Sequence, residues 1–273
     1  MRLFLISLLI VAGSKSSTAI AQPSVPQRPA ALNVLLITGG CCHDYERQKS
    51  LLTEGISARA HTQWTIVHEG GNRTNHRLSI HDNASWADGF DVVVHNECFA
   101  FQKDIDFIHR ITDAHKAGVP AVLIHCAMHC YRGPTEEWFK FCGVTSHDHG
   151  RKNPITIESI ATDHPIMQRL PRTWTTPRGE LYNVSHIWDT ATPLATGSTV
   201  DSDDSSVCVW TNDYGKSRIF ATTVGHHNET IEQAEYLDLL ARGLLWACEK
   251  LGPDGRPLPG YDGTGVKPPT QAP

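Results

Sequence analysis

The sequence predicts an α/β fold on a mostly parallel β-sheet, and three observations carry that prediction. Short apolar runs rich in β-branched residues recur along the chain, most of them without the apolar/polar alternation of half-exposed strands. Segments of helical periodicity fall between them. Glycine and proline punctuate the change from one to the other, as at Gly118 and Pro120.

Taken in order, the strand candidates are residues 34–37, 64–67, 92–94, 121–124 and 219–224. The segment 104–116 places Ile105, Ile108, Ile111 and either Ala114 or His115 on one helical face before Gly118 ends it. A short helix carrying Trp138 and Phe139 is predicted over 135–142. The stretch 153–207, with Ile155, Ile157, Leu181, Leu194 and Val207 scattered among turn residues, predicts short and partly antiparallel strands. Thr230 and Gln233 form a capping-box pattern that opens a last helix, on which Ile231, Ala234, Leu237, Ala241, Leu244 and Cys248 follow at helical spacing.

The ends differ from this interior. Met1 and Arg2, the apolar run 3–12 and the small-x-small pattern Ala19, Ile20, Ala21 predict a signal peptide over 1–21, cleaved near Ala21, and hence export to a periplasmic or extracellular space. Residues 22–32 form a Pro/Gln/Ala-rich lead-in and 251–273 a Pro/Gly-rich tail, leaving 33–250 as one domain. No run is long enough for a membrane span. The net charge of −5 is dispersed, which points away from nucleic acid. Eight cysteines in an exported chain are compatible with disulfides, but their spacing predicts no connectivity.

Histidine, at 16 residues, is the unusual component. His68, His95, His125 and the pair His226 and His227 each follow an apolar run, and the first run leads through Gly39 and Gly40 to His43. Ligands of open α/β sheets bind beyond the carboxyl ends of the strands, so these imidazoles are expected to line one crevice. The turn containing Gly39 and Gly40 offers backbone N–H groups for a sugar oxygen or an anion, but lacks the spacing of a nucleotide-binding motif. Asp44 and Glu97 are the carboxylates available for acid/base work. His125 and His129 stand four apart, the spacing of two metal ligands on one helical face, yet the intervening Glu of a metalloprotease motif is absent. The loop 147–150 adds His147, Asp148 and His149.

With these residues in view, the sequence resembles the ThuA-like (trehalose-utilisation) family over roughly 33–249. The matching segments are 34–40 with His43 and Asp44, 119–125, 164–166 running to 170–171, 180–182, 210–216, 224–226 and 244–247. The resemblance implies a flavodoxin-like, class I glutamine amidotransferase-like three-layer sandwich and a small-molecule carbohydrate as partner. It further implies a hydrolase or lyase type of chemistry on oxidised (3-keto) glycosides or related sugars. Amidotransferase relatives use a cysteine on a tight strand-to-helix turn, for which Cys126 is the candidate here, although the permissive glycines of such a turn are missing.

Histidine suits proton transfer beside a carbonyl near neutral pH. His43, His125 and His226 are therefore the expected catalytic core, with Glu97 and Asp44; the same three imidazoles are the expected ligands of a divalent metal such as zinc. Gly39, Gly40, His95, Tyr182 and His227 are expected to contact substrate. Two alternatives stay open: a non-catalytic carbohydrate-binding protein using Tyr131, Tyr182 and Trp188, and a Cys126-dependent enzyme.

Overall fold

A computed structural model of the chain describes residues 28–133 and 135–265. The predicted signal peptide, most of the lead-in and the end of the tail lie outside the described residues. Strand β1 (Leu32–Gly40) is buried from Val34 onward and feeds helix α1 (Tyr45–Ser57) through a tight turn. Strands β2 (Thr62–Glu69) and β3 (Val92–Cys98) pair in parallel on either side of β1. β2 is the edge strand, so its residues alternate in exposure, whereas β3 is buried throughout.

Helix α2 (Ile105–Ala117) lies where periodicity predicts it, with the Asp104 side chain accepting from the Phe107 N–H and Gly118 ending it at φ +134°. It leads to β4 (Ala121–Ile124), followed directly by a 3₁₀ turn (His125–His129) and the short helix α3 (Glu137–Cys142). The region of scattered apolar residues does form antiparallel strands: β5 (Val144–Asn153), β6 (Thr156–Ser159), β7 (Thr173–Thr175), β8 (Gly179–Ile187), β9 (Ala191–Thr199) and β10 (Ser202–Tyr214). The expected loop 147–150 is instead part of β5. β11 (Ser217–Thr222) then returns to the centre and pairs in parallel with β4.

The main sheet has the order β2-β1-β3-β4-β11-β10-β9-β6-β7, parallel over its first five strands and antiparallel beyond. The first five strands follow flavodoxin-like order, whose reversal of direction between β1 and β3 opens a crevice at their carboxyl ends. β5 and β8 form a separate antiparallel ribbon.

The capping box at Thr230 does not form. The chain makes one turn, α4 (Asn228–Ile231), breaks at Gln233, which adopts extended backbone angles, and restarts as α5 (Ala234–Ala247). The Thr230 hydroxyl donates to the Arg178 carbonyl instead, so a tertiary acceptor displaces the local one. Leu239, Leu240, Leu244 and Leu245 of α5 pack with Leu36, Val94, Val122 and Phe220 on one sheet face. On the other face, α2 and α3 enclose a second core around Trp138, Phe141 and Trp210. Residues 251–265 run back over the protein, with Asp262 bridged to Ala60. No helix of the described residues is long and apolar enough to cross a membrane.

Candidate metal centre

Four strand ends determine the site. At the end of β1, Gly39 and Gly40 adopt φ of +128° and +97°, and a Cβ on either would overlap the backbone of Glu69 or Cys98. These glycines let β1 finish pressed between its neighbours. The turn then brings His43 back over the sheet edge. Gln48 of α1 donates to the His226 carbonyl at 3.1 Å, which ties α1 to the segment after β11.

At the end of β4 the strained residue is His125 itself, at φ +47°. The sharp turn at this edge thus presents an imidazole, while Cys126, one residue later, is paired with Cys98. In this paired state Cys126 offers no free thiolate. His226 follows β11, and Glu180 enters from the ribbon, near the start of β8.

These four side chains meet. His226 Nδ1 lies 2.9 Å from His43 Nε2, 3.1 Å from His125 Nε2 and 3.1 Å from Glu180 Oε2. All four ligand atoms lie within 4.8 Å of one another. The protons on the outer nitrogens can be assigned from their partners. His125 Nδ1 is 2.6 Å from the Thr223 carbonyl, which can only accept, so His125 carries its hydrogen there and turns a bare Nε2 inward. His43 Nδ1 faces the Cys41 carbonyl at 3.3 Å and the Tyr45 hydroxyl at 2.9 Å, and donation to the carbonyl leaves its Nε2 bare.

Among the four inner atoms themselves one proton, on His226 Nδ1, can be shared, while the Tyr182 hydroxyl, 3.3 Å from His125 Nε2, and His149 Nε2, 3.4 Å from Glu180 Oε2, reach in from outside. A cation at the centre would satisfy all four ligand atoms at once. Tetrahedral ligands about 2.1 Å from a metal stand roughly 3.4 Å apart, close to the separations seen here. Neutral imidazoles plus one carboxylate suit zinc or a similar divalent ion, and the carbonyls behind His125 and His43 fix the ligating tautomers.

The electrostatics agree with this arrangement. Burial, reinforced by His125 and His226, pushes the His43 imidazole down to about 2. Burial also lowers His125, against the opposing pull of Glu180 and the Thr223 carbonyl. Burial alone would raise Glu180, but the His125 and His226 imidazoles beside it outweigh that and hold the group below the carboxylate range. Near neutral pH His43 and His125 are therefore uncharged and the carboxylate ionised, the forms that bind metal.

Above this cluster opens a cavity of about 580 Å³ lined by Cys42, His43, Lys152, His226, His227 and neighbouring residues. Its volume falls in the range of small-ligand sites. The His227 ring packs at 4.2 Å on His226, and its Nε2 has no partner.

Several expected residues lie elsewhere. Glu97 and His95 are fully buried on the α2/α3 side of the sheet, where His95 Nδ1 is 2.8 Å from Glu97 Oε1 and His95 Nε2 is 3.1 Å from His115. Their alternation along β3 turns them into the second core, so neither reaches the cavity. Asp44 borders the cavity, but its carboxylate accepts from the Arg47 N–H and from Asn228, capping α1. Tyr182 lies beneath the cluster, its hydroxyl 3.3 Å from His125 Nε2 and its ring stacked on His129 at 3.9 Å. His129 thus faces Tyr182 and Ser146 rather than joining His125 as a ligand. Tyr131 is buried in the second core, and Trp188 donates to Thr145.

Glu180 is the candidate ligand that sequence reasoning passed over. Its segment 180–182 stood among the matching fragments, but no strand-end pattern pointed to it, because it belongs to the ribbon rather than the parallel sheet.

A model of the trehalose-utilisation family, ThuA, matches residues 35–247. The chain belongs to the ThuA family. Among solved structures, a putative ThuA-like protein from Parabacteroides merdae is similar at TM-score 0.65 and 18% identity, covering 85% of this chain and 97% of that one. One from Bacteroides uniformis is similar at TM-score 0.62 and 14% identity, covering 86% and 98%. A putative GMP synthase protein from Thermoplasma acidophilum, at TM-score 0.51 and 14% identity, covers 81% and 96% and shares the glutamine amidotransferase-like fold. No curated protein matches the chain by sequence. His43, His125, Glu180 and His226 all fall inside the ThuA match.

Proposed function

We propose that the protein is a metal-dependent enzyme acting on oxidised glycosides, such as 3-keto sugars, in an exported compartment. The observation that carries the reading is the convergence of three imidazole nitrogens and a Glu180 carboxylate oxygen within 4.8 Å of one another, at spacings a tetrahedral ion would bridge. A bound divalent ion would supply Lewis-acid polarisation of a sugar carbonyl. His43, His125, His226 and Glu180 would hold it. His227 is the imidazole left outside the ligand set, and burial lowers its pKa, so it is a neutral proton acceptor at the cavity wall. Lys152, 3.5 Å from Glu180 Oε1, lines the same cavity and supplies a donor for a hydroxyl or a developing oxyanion. The sugar as substrate class is supported by membership of a family described as trehalose utilisation. A purely carbohydrate-binding role finds less support, since Tyr131, Tyr182 and Trp188 do not line the cavity.

Chelator-stripped protein titrated with zinc against a competing indicator tests the reading. One ion per chain is expected, with His125→Ala and Glu180→Gln each weakening affinity by about 100-fold and abolishing turnover of a 3-keto glycoside. Absence of zinc binding by the unsubstituted protein, or binding indifferent to both changes, would sink it.

A further inference from the structure

Four of the eight cysteines gather beside the imidazole cluster. Cys41 is paired with Cys42 in the turn after β1, and Cys98, the last residue of β3, with Cys126. The Sγ atoms of Cys41 and Cys98 are 3.7 Å apart, so the two disulfides touch. Accessibility grades along the chain of sulfurs. Cys42 is exposed and lines the cavity, Cys41 is half-buried, and Cys98 and Cys126 are buried with their sulfurs near the His43 ring. Cys130, Cys142 and Cys208 are unpaired and buried, and burial pushes their thiols up.

We propose that these four sulfurs form a thiol–disulfide relay that carries two electrons from a small-molecule thiol in the cavity to the buried Cys98–Cys126 pair. Exchange proceeds by thiolate attack on a disulfide sulfur, so it needs an accessible first sulfur and a second disulfide within reach. The thiolate attacks Cys42 Sγ, forming a mixed disulfide and releasing the Cys41 thiolate. Cys41 attacks Cys98 Sγ, and Cys126 leaves and takes up a proton. A second molecule of thiol resolves the mixed disulfide at Cys42, giving its own disulfide and a Cys42 thiolate. Cys42 then attacks Cys41, re-forming the Cys41–Cys42 bond, and Cys98 leaves and is protonated. In sum, two thiols become one small disulfide, and the Cys98–Cys126 disulfide becomes two thiols.

The exchange steps themselves need no metal, and because the Cys98 and Cys126 sulfurs lie near His43 the test uses the metal-free full chain. The oxidised protein is treated with two equivalents of glutathione, quenched with an alkylating tag and mapped by mass spectrometry. Tags are expected on Cys98 and Cys126 while Cys41 and Cys42 stay joined, and the Cys41→Ser/Cys42→Ser variant should acquire them at least about tenfold more slowly. An unchanged rate in that variant, or tags on Cys41 and Cys42 with Cys98–Cys126 intact, would overturn the proposal. A Cys42→Ser/Cys126→Ser variant gives a second measurement that does not depend on the first variant folding. It should form a Cys41–Cys98 disulfide in air, and its failure to do so also overturns the proposal.

Discussion

At the scale of single residues, the candidate centre depends on atoms behind the ligands as much as on the ligands. Tyr45 holds His43 Nδ1 at 2.9 Å from a buried position, so Tyr45→Phe removes a hydrogen bond without opening much space. Zinc affinity measured by indicator competition should fall by about tenfold, as for other losses of support behind a metal ligand. A Tyr45→Phe protein that binds as tightly as the parent would show that the Cys41 carbonyl alone fixes the ring. The imidazoles were legible in the sequence because each follows an apolar run, a pattern that survives folding when strands are parallel. Glu97 and His95 follow the same rule and yet turn into the second core, because successive side chains on a strand point to opposite faces and the sequence does not say which face is open.

At the scale of elements, Asp44 shows how a site-edge carboxylate can be occupied by structure. It caps α1, and an Asn would accept the same backbone hydrogen bond. Asp44→Asn should leave the urea midpoint nearly unchanged, whereas Asp44→Ala should cost about 1 kcal/mol. A collapse of zinc affinity in the Asn variant at unchanged stability would instead give Asp44 a part in the site. Helix α2 was legible from its periodicity, α1 had no predicted range, and at Thr230 the Arg178 carbonyl outcompetes the local cap and splits one expected helix into two. The antiparallel half of the sheet was legible only as a class. Its strands are short and its apolar residues scattered, so pairing depends on partners distant in sequence.

At the scale of the whole molecule, the second core encloses buried imidazoles whose titration links folding to pH. His115 is fully buried, and burial followed by the nearby His95 lowers it to about 3. An unfolded chain takes up this proton near pH 6.5 and the folded one only near 3, so between those values the unfolded state binds more protons. The contribution is fully present above pH 6.5 and falls away as pH drops towards 3, at about 1.4 kcal/mol per pH unit for each such group. Urea unfolding of metal-free protein should therefore show a lower midpoint at pH 5 than at pH 7. Equal midpoints would mean that these rings are protonated in the folded state. The parallel order of the first five strands, and with it the crevice, was the part of the architecture most plainly written in the chain, since buried parallel strands announce themselves as unbroken apolar runs.

The ribbon that delivers Glu180 is a layer apart from the sheet that delivers the imidazoles, so the anionic member of the set can vary while the ring geometry stays. With one carboxylate against a doubly charged ion, the loaded centre would retain a single positive charge. Such a surplus favours species that gain negative charge as they react, an enolate or an alkoxide, over neutral sugars at rest.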